Sequence, residues 1–562
     1  MKRTLCIVLT LACLTPLFAP AAAGAEANEL LNAVPGQAWG MISVRSLAEL
    51  DKKLVNLGQA VNLPMSPLAM AKGVLGLIAG VNDSGSLALV IMPAESIDQI
   101  GQRMAILVPT SNYTELLSLL EPEDAGGGMT KILFRGTESY VAPKGGFAVI
   151  GSSIEVVKAV VQSTTGVASK LTSHQREQWA AADLTVWIDA AAVTGSPTFN
   201  EISGAIQALG FDTELLSSLK SVQASLSFGP EGVRLGLYAD AQPGTRMAKA
   251  MASVKPPSGS LLTGLPGDAF VAAFGTVTSN EAAAYGAESV DESLEALAPI
   301  VPMLNPEAFA RLRSIFKTLM SRMRTLSFSI SALPEGPDGV LAATKIIGVE
   351  GGASSYLASI AELVRLVQGE LIQDEELANT VKTVLEYQPA PEGGSIDHLV
   401  VHLDRLEWVG EEELGMVTKI LGKEGLLVRY SAVDENHVAI TLGGGAARMQ
   451  TVAELIKGEK APLPEVAEIK KLASTMPPDR VSEGYFSVNG LMTLFRAIAK
   501  ATDGEVPIEM PPVGTPLAVS ARITADGGGQ MDALIPMELI KALVQAATAT
   551  MGPGAPAEPP PM

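Results

Sequence analysis

Residues 35–39 read PGQAW, and residues 266–270 read PGDAF. In both places a proline and a glycine interrupt the preceding pattern, and a short apolar run follows, Gly40–Val44 or Val271–Phe274. Breakers followed at once by apolar residues of this kind predict the start of a β-strand. A helical pattern comes next in both cases. Each motif therefore predicts the opening of a strand–helix unit.

Three further landmarks recur in the same order. The first is a proline-containing connection between helices, at Leu63–Pro67 and again at Val301–Pro306. The second is a strand that runs into a helix through a glycine turn, at Phe147–Ser153 and at Ala439–Gly445. The third is a hairpin, at 225–239 and at 517–534. The two openers lie 231 residues apart and the two strand–helix turns 292 apart, which predicts an insertion of about 61 residues in the second copy. We interpret the series as a tandem duplication.

The predicted domain boundary lies at 255–260, where two prolines precede a Ser-Gly-Ser triplet. It separates a first copy at 28–254 from a second copy at 261–549, with the insertion at about 331–395. Residues 550–562 are rich in proline and are predicted to form a disordered tail.

The first residues have the pattern of a secretory leader. Lys2 and Arg3 precede an apolar stretch, and small residues follow at 19–25. Residues 1–25 are therefore predicted to be a signal peptide, which places the mature chain in the periplasm, the envelope or the extracellular space. A membrane anchor would need about 20 apolar residues, and Pro16 interrupts this stretch. Lipidation at Cys13 remains an alternative.

Composition narrows the possible partners. The 562 residues are 47% hydrophobic, with a mean hydropathy of +0.29, which excludes general disorder. The net charge of −20 makes nucleic acid and anionic membranes poor partners. Cys6 and Cys13 both lie in the leader, so the mature chain has no thiol for catalysis, metal binding or a disulfide.

The predicted fold class is α+β. Closely spaced hairpins favour mainly antiparallel sheets, and we expect helices packed on one face of the sheet in each of two tandem domains. Residues 67–81 are predicted to form a buried helix, and a helical stripe predicts a helix from about Ser354 to Tyr387.

No residue is assigned a catalytic, cofactor-binding or metal-binding role. His398 and His402 lie four apart, but in a strand their rings would start about 13 Å apart, too far for one ion. The glycine turns at 151–153 and 443–445 do not fit a phosphate-binding motif, and Ser152 with Glu155 has capping-box spacing. We therefore expect no cofactor.

As a whole, the chain resembles the large uncharacterised exported proteins of environmental bacteria, which join a leader to degenerate repeated α/β modules. The leader, the two openers and the hairpin-then-helix units carry this resemblance. It implies an envelope or extracellular location and brings no catalytic residues.

Three functions remain open. The first is a non-enzymatic scaffold or interaction module of the envelope, for which a solid core with a flat apolar patch would be diagnostic. The second is a carrier of an apolar ligand in a cavity between sheet and helices, which the 21 methionines could line. The third is a carboxylate-based hydrolase, which would show two facing carboxylates in a cleft.

Overall fold

The computed structural model describes residues 24–60, 66–75, 79–134, 136–208, 213–295, 303–391, 395–406, 408–502, 504, 506 and 510–551. Nearly all of the predicted leader and tail, and parts of the connections at 63–67 and 301–306, lie outside these residues. The chain divides into two compact units. Unit 1 is Met1–Ala248 with Thr524–Lys541, and unit 2 is Lys249–Ile523 with Ala542–Met562.

The strands are short and follow one another closely in sequence. They are β1 Gly40–Val44, β2 Leu87–Ile91, β3 Met104–Pro109, β4 Glu123–Gly126, β5 Met129–Phe134, β6 Thr137–Lys144, β7 Phe147–Gly151, β8 Leu184–Ile188, β9 Leu219–Gly229, β10 Gly232–Ala241, β11 Ala269–Val277, β12 Met323–Ala332, β13 Leu341–Val349, β14 Leu385–Gln388, β15 Ile396–Val401, β16 Leu426–Ala432, β17 His437–Leu442, β18 Arg480–Phe486, β19 Leu517–Ile523 and β20 Gly529–Pro536.

The α-helices lie between these strands. They are α1 Gly24–Ala33, α2 Leu47–Ala60, α3 Pro67–Leu75, α4 Tyr113–Ser118, α5 Ile154–Gln162, α6 Ser173–Ala181, α7 Ala190–Thr194, α8 Pro197–Ala208, α9 Thr213–Ser217, α10 Arg246–Ser253, α11 Asn280–Glu295, α12 Pro306–Arg322, α13 Ala353–Gly369, α14 Glu375–Val384, α15 Glu411–Leu421, α16 Gly445–Lys457, α17 Ala467–Ala473, α18 Val488–Thr502 and α19 Met537–Met551.

The strands of unit 1 pair in the order β4-β5-β6-β7-β3-β2-β1-β8-β9-β10-β20, and every pair is antiparallel. The strands of unit 2 pair in the order β14-β15-β16-β17-β13-β12-β11-β18-β19, again antiparallel throughout. If β11 is counted as the first strand of unit 2, its nine strands pair in the same order as the first nine strands of unit 1, β1 to β9. The α+β class is confirmed, and duplication remains the interpretation of this shared order.

In unit 1 the main core lies on the sheet face that carries Met41 and Leu107, which we call the inner face. Val156 and Val160 of α5 pack against it, and all four side chains are almost fully buried. A second cluster lies on the opposite, outer face, where Leu116 of α4 packs near Val108. Helices therefore cover parts of both faces, and the expectation of helices on one face is wrong. The cause is that the strands carry apolar residues at odd and even positions alike.

In unit 2 the two faces differ in an unexpected way. Ser329, Ser331 and Thr344 share one face of the sheet and are fully buried, and we call this face the inner face of unit 2 and the opposite one its outer face. The large apolar residues Phe328 and Ile330 lie on the other side of the same strand and are only partly buried. Two of these buried hydroxyls, those of Thr344 and Ser331, are tolerated because α16 brings Arg448 onto this face, where its guanidinium donates hydrogen bonds to both.

Two helix expectations need correction. Of the buried helix predicted at 67–81, Pro67–Leu75 is helical, residues 76–78 lie outside the described residues and residues 79–81 are not helical. Met70 is 53% exposed, so the helix is not buried. The predicted helix from Ser354 to Tyr387 is two helices, α13 and α14, followed by β14. Asp374 ends the continuous pattern because its side chain accepts a hydrogen bond from the backbone N–H of Leu377 and so caps a new helix.

None of the helices within the described ranges combines the length and the apolar character needed to cross a membrane.

Candidate functional site: an apolar patch on unit 1

The outer face of unit 1 carries an apolar patch on four neighbouring strands. Leu237 of β10 lies directly opposite Met531 of β20 on one side and Ala224 of β9 on the other. Val186 of β8 continues this row. Ile188, two residues further along β8, extends the patch sideways. We call these five residues the outer patch.

The three largest apolar side chains of the outer patch are exposed to solvent. Leu237 is 40% exposed, Met531 48% and Ile188 40%. Large apolar side chains that are grouped in this way mark interaction surfaces more often than isolated ones do. The core beneath is solid, since Trp187, which follows Val186 and points inward, is 1% exposed.

Strand β10 shows the reason for the patch. Its apolar set includes Leu235, Leu237 and Ala239, and its alternate set includes Tyr238 and Asp240. In a strand with one face in water, the apolar set is expected to face the core. Here Tyr238 is fully buried and Asp240 is 8% exposed, whereas Leu237 points outward. Over residues 236–240 the strand is thus inverted relative to the usual pattern, whereas Val233 and Ala241 near its ends are buried.

A hydrogen-bonded cluster around Tyr238 stabilises this inverted orientation. Burial, the largest cause, raises the pKa of Tyr238 to about 12, so the phenol is a donor at neutral pH. Burial also raises the pKa of Asp526, but hydrogen bonds from Thr172, Thr524 and Tyr238 and from the backbone N–H of His174 outweigh it and hold that pKa below its usual value. The cluster is therefore a protonated donor facing an ionised acceptor, which fixes structure and leaves no free base.

Each opener lines a surface cleft. In unit 1 the cleft has a volume of about 560 Å³ and is lined by residues that include Trp39, Met92, Glu95, Arg103 and Pro197. In unit 2 the cleft is smaller, about 280 Å³. Its lining includes Asp268, Phe270, Glu468 and Asn489. The two openers thus end on a cleft in both units, which sequence reasoning did not predict.

The acidic residue of the second opener is anchored by a buried cation. Arg448 is 7% exposed and forms an ion pair with Asp268. Burial lowers the pKa of Arg448 to about 10, which still leaves the guanidinium charged at neutral pH. The carboxylate of Asp268 is therefore engaged by Arg448, and the cleft does not present it as a free acid or base.

The histidine pair does not form a shared site. Strand β15 ends at Val401, so His402 lies beyond it, at the start of a short helical turn, and not on the strand as predicted. Its Nε2 lies 2.7 Å from Glu386 Oε2, an ordinary ion-pair distance. Among the described residues, no group of three or more His, Cys, Asp or Glu side chains is placed to hold a metal ion.

The two glycine turns behave as turns. Ser153, and not Ser152 as predicted, caps α5, because its hydroxyl accepts the N–H of Val156. Gly443 and the next two glycines all have positive φ, from 64° to 69°. A Cβ on Gly443 would lie 2.1 Å from the carbonyl oxygen of Leu341, so this position requires glycine.

Comparisons with known proteins give little. No protein-family model matches the chain, and no curated protein matches it. Crystal form I of TP0453 is 12% identical, covers 39% of this chain and 80% of its own, and has a TM-score of 0.23. Crystal form III is 9% identical, covers 53% and 98%, and has a TM-score of 0.21. Likenesses this weak carry no argument about fold or function.

Proposed function

We propose that this chain is an exported, non-enzymatic interaction module of the cell envelope, which docks a protein partner on the outer patch of unit 1. The observation that carries the proposal is the inversion of β10, which buries Tyr238 and Asp240 and presents Leu237 outward. The leader pattern at 1–25 supports export.

The patch is suited to a protein surface because its residues lie side by side on neighbouring strands and line neither of the two clefts described above. Small-molecule sites are concave and enclose most of the ligand, whereas the outer patch is formed by side chains projecting from a sheet. Fully burying a leucine or methionine side chain contributes about 1.5–3 kcal/mol. Leu237 is 40% exposed and Met531 48%, so covering the surface that remains exposed would contribute about 1.3–2.6 kcal/mol for the two together, which corresponds to roughly a tenfold change in affinity.

Two substitutions in the patch test the proposal. We expect Leu237→Ser combined with Met531→Ser to reduce retention of the partner by about tenfold or more, because two central apolar contacts are lost. The measurement is quantitative mass spectrometry of proteins retained from an envelope extract on immobilised wild-type and variant chains. Circular dichroism should show the variant folded, since the substituted side chains are already 40% and 48% exposed.

The matched control is Leu119→Ser, since Leu119 is an equally large, 54% exposed side chain of unit 1 outside the patch. Support requires one protein that the wild type and Leu119→Ser retain equally and the double variant does not. Equal retention on all three chains would show that the patch is not the docking surface.

A further inference from the structure

A row of side chains crosses the outer face of unit 2 at its centre. Phe274 of β11 lies opposite Phe328 of β12, and Phe328 lies opposite Lys345 of β13. Neighbouring strands are about 4.8 Å apart, so the row spans about 10 Å. Phe274 is 36% exposed, and the other two side chains are partly buried.

This row lies between two helix clusters. On one side, Leu326 and Ile347 pack with α12 and α13. On the other side, Ile330 and Leu341 pack with α18. Neither cluster includes a residue of the row. Two aromatic rings stand at one end of the row, and at the other end Lys345 lies opposite Ile440, which belongs to the first cluster. We call this row, bounded by the two helix clusters, the trough.

Lys345 is partly buried and lacks a counter-charge among the described residues, whereas Lys471, which also has no ion pair there, is exposed. Within the part of the chain that the structure describes, no carboxylate or other acceptor is bonded to its ammonium. Burial lowers the pKa of Lys345. Lys144 provides the contrast, since burial lowers its pKa too, but its ammonium donates to the carbonyl oxygens of Val160 and Ser163.

The fold does not require a charge at this position. In unit 1, Ile42 lies opposite Leu89 and Leu89 opposite Ile106. Ile42 in unit 1 and Phe274 in unit 2 occupy equivalent positions. Ile42 pairs with the residue two before the end of β8, and Phe274 pairs with the residue two before the end of β18. The position equivalent to Lys345, two strands across from this starting residue, is therefore Ile106 in unit 1. Because Lys345 is partly buried and no acceptor among the described residues is bonded to its ammonium, the ammonium is available to an anion supplied from outside, and pairing with one would offset its loss of hydration.

We propose that the trough of unit 2 binds a single long-chain carboxylate, with the hydrocarbon chain on Phe274 and Phe328 and the carboxylate on Lys345. The chain's net charge of −20 opposes docking on an anionic membrane surface. A single acid molecule adds one negative charge, which the ammonium neutralises. The site lies in unit 2 and does not depend on the docking patch proposed for unit 1.

Calorimetric titration with laurate and with 1-dodecanol tests the proposal, because the two probes share a chain and differ in the head group. We expect the wild type to bind laurate more tightly. Lys345→Met should weaken laurate binding by about ten- to hundredfold, the usual effect of losing a charge-assisted hydrogen bond, and leave dodecanol binding unchanged. Lys345→Arg should keep the preference for laurate. Lys471→Met, at an exposed lysine of unit 2, is the control.

Equal binding of laurate and dodecanol to the wild type would overturn the proposal, as would unchanged laurate binding by Lys345→Met or no binding of either probe. The Leu237→Ser and Met531→Ser variant separates the two proposals. If that variant loses its partner but binds laurate normally, both hold. If the wild type binds no laurate while the partner is still lost from that variant, only the trough proposal fails.

Discussion

Replacing Asp268 with asparagine lowers the stability of unit 2 by about 3 kcal/mol, the low end of the range for breaking a buried ion pair. Arg448 is 7% exposed, whereas the side chain of Asp268 is 36% exposed. The substitution therefore leaves the buried partner charged and without an anion. The hydroxyls of Ser331 and Thr344 still accept hydrogen bonds from Arg448 but carry no charge.

Hydrogen exchange followed by mass spectrometry measures this effect locally, in peptides from β11 and α16. Glu468→Gln is the matched control, because Glu468 lines the same cleft but is exposed. Adding Arg448→Met to Asp268→Asn removes the unpaired charge but also the donors to Ser331 and Thr344, so we expect it to recover only part of the loss. A loss from Asp268→Asn no larger than that from Glu468→Gln would contradict the buried-cation argument.

Replacing Arg480 with methionine should destabilise unit 2 by about 3–5 kcal/mol at neutral pH. Arg480 Nε donates to Glu483 Oε2 over 2.7 Å, and Glu483 is 3% exposed. Burial, together with the nearby charge of Glu483, raises the pKa of Tyr485, so the phenol stays protonated and donates to the same carboxylate oxygen at 3.0 Å. One neutral donor cannot replace the lost cation.

The destabilisation by Arg480→Met should also shrink as the pH falls. An unpaired buried carboxylate takes up a proton more readily in the folded chain than in the unfolded chain, so the variant gains stability relative to the wild type on acidification. Urea unfolding from pH 7 to about pH 5 measures this, with Arg480→Met combined with Glu483→Gln as the control that has no charge to titrate. A loss that is independent of pH would assign the effect to packing.

The order of elements was accessible from the sequence because it depends on local signals. The opener at 35–39 precedes β1, and the opener at 266–270 runs into β11, which begins at Ala269. The two strands hold the same place in the strand order of their units. Proline and glycine interrupt helices and strands through their own backbone geometry, so they mark element boundaries in the same way wherever they occur. The α+β class followed from the hairpins for the same reason.

Which face of each strand is buried could not be predicted from the sequence. The alternation of polar and apolar residues shows that the two faces differ, but it does not show which face is turned towards the core. In β12 the serines at 327, 329 and 331 are buried, and the intervening Phe328 and Ile330 are less so. The choice depends on Arg448, which is more than 100 residues away in sequence. The outer patch was missed for the same reason, since Leu237 and Met531 become neighbours only when β20 pairs with β10.

The most direct test of docking on the outer patch is site-specific photo-crosslinking in intact cells that express the full chain. A benzophenone amino acid at position 237 should form a crosslink to one partner protein, whereas the same amino acid at position 119, on another exposed leucine of unit 1, should not. Crosslinks of equal yield from both positions, or none from position 237, would contradict the account.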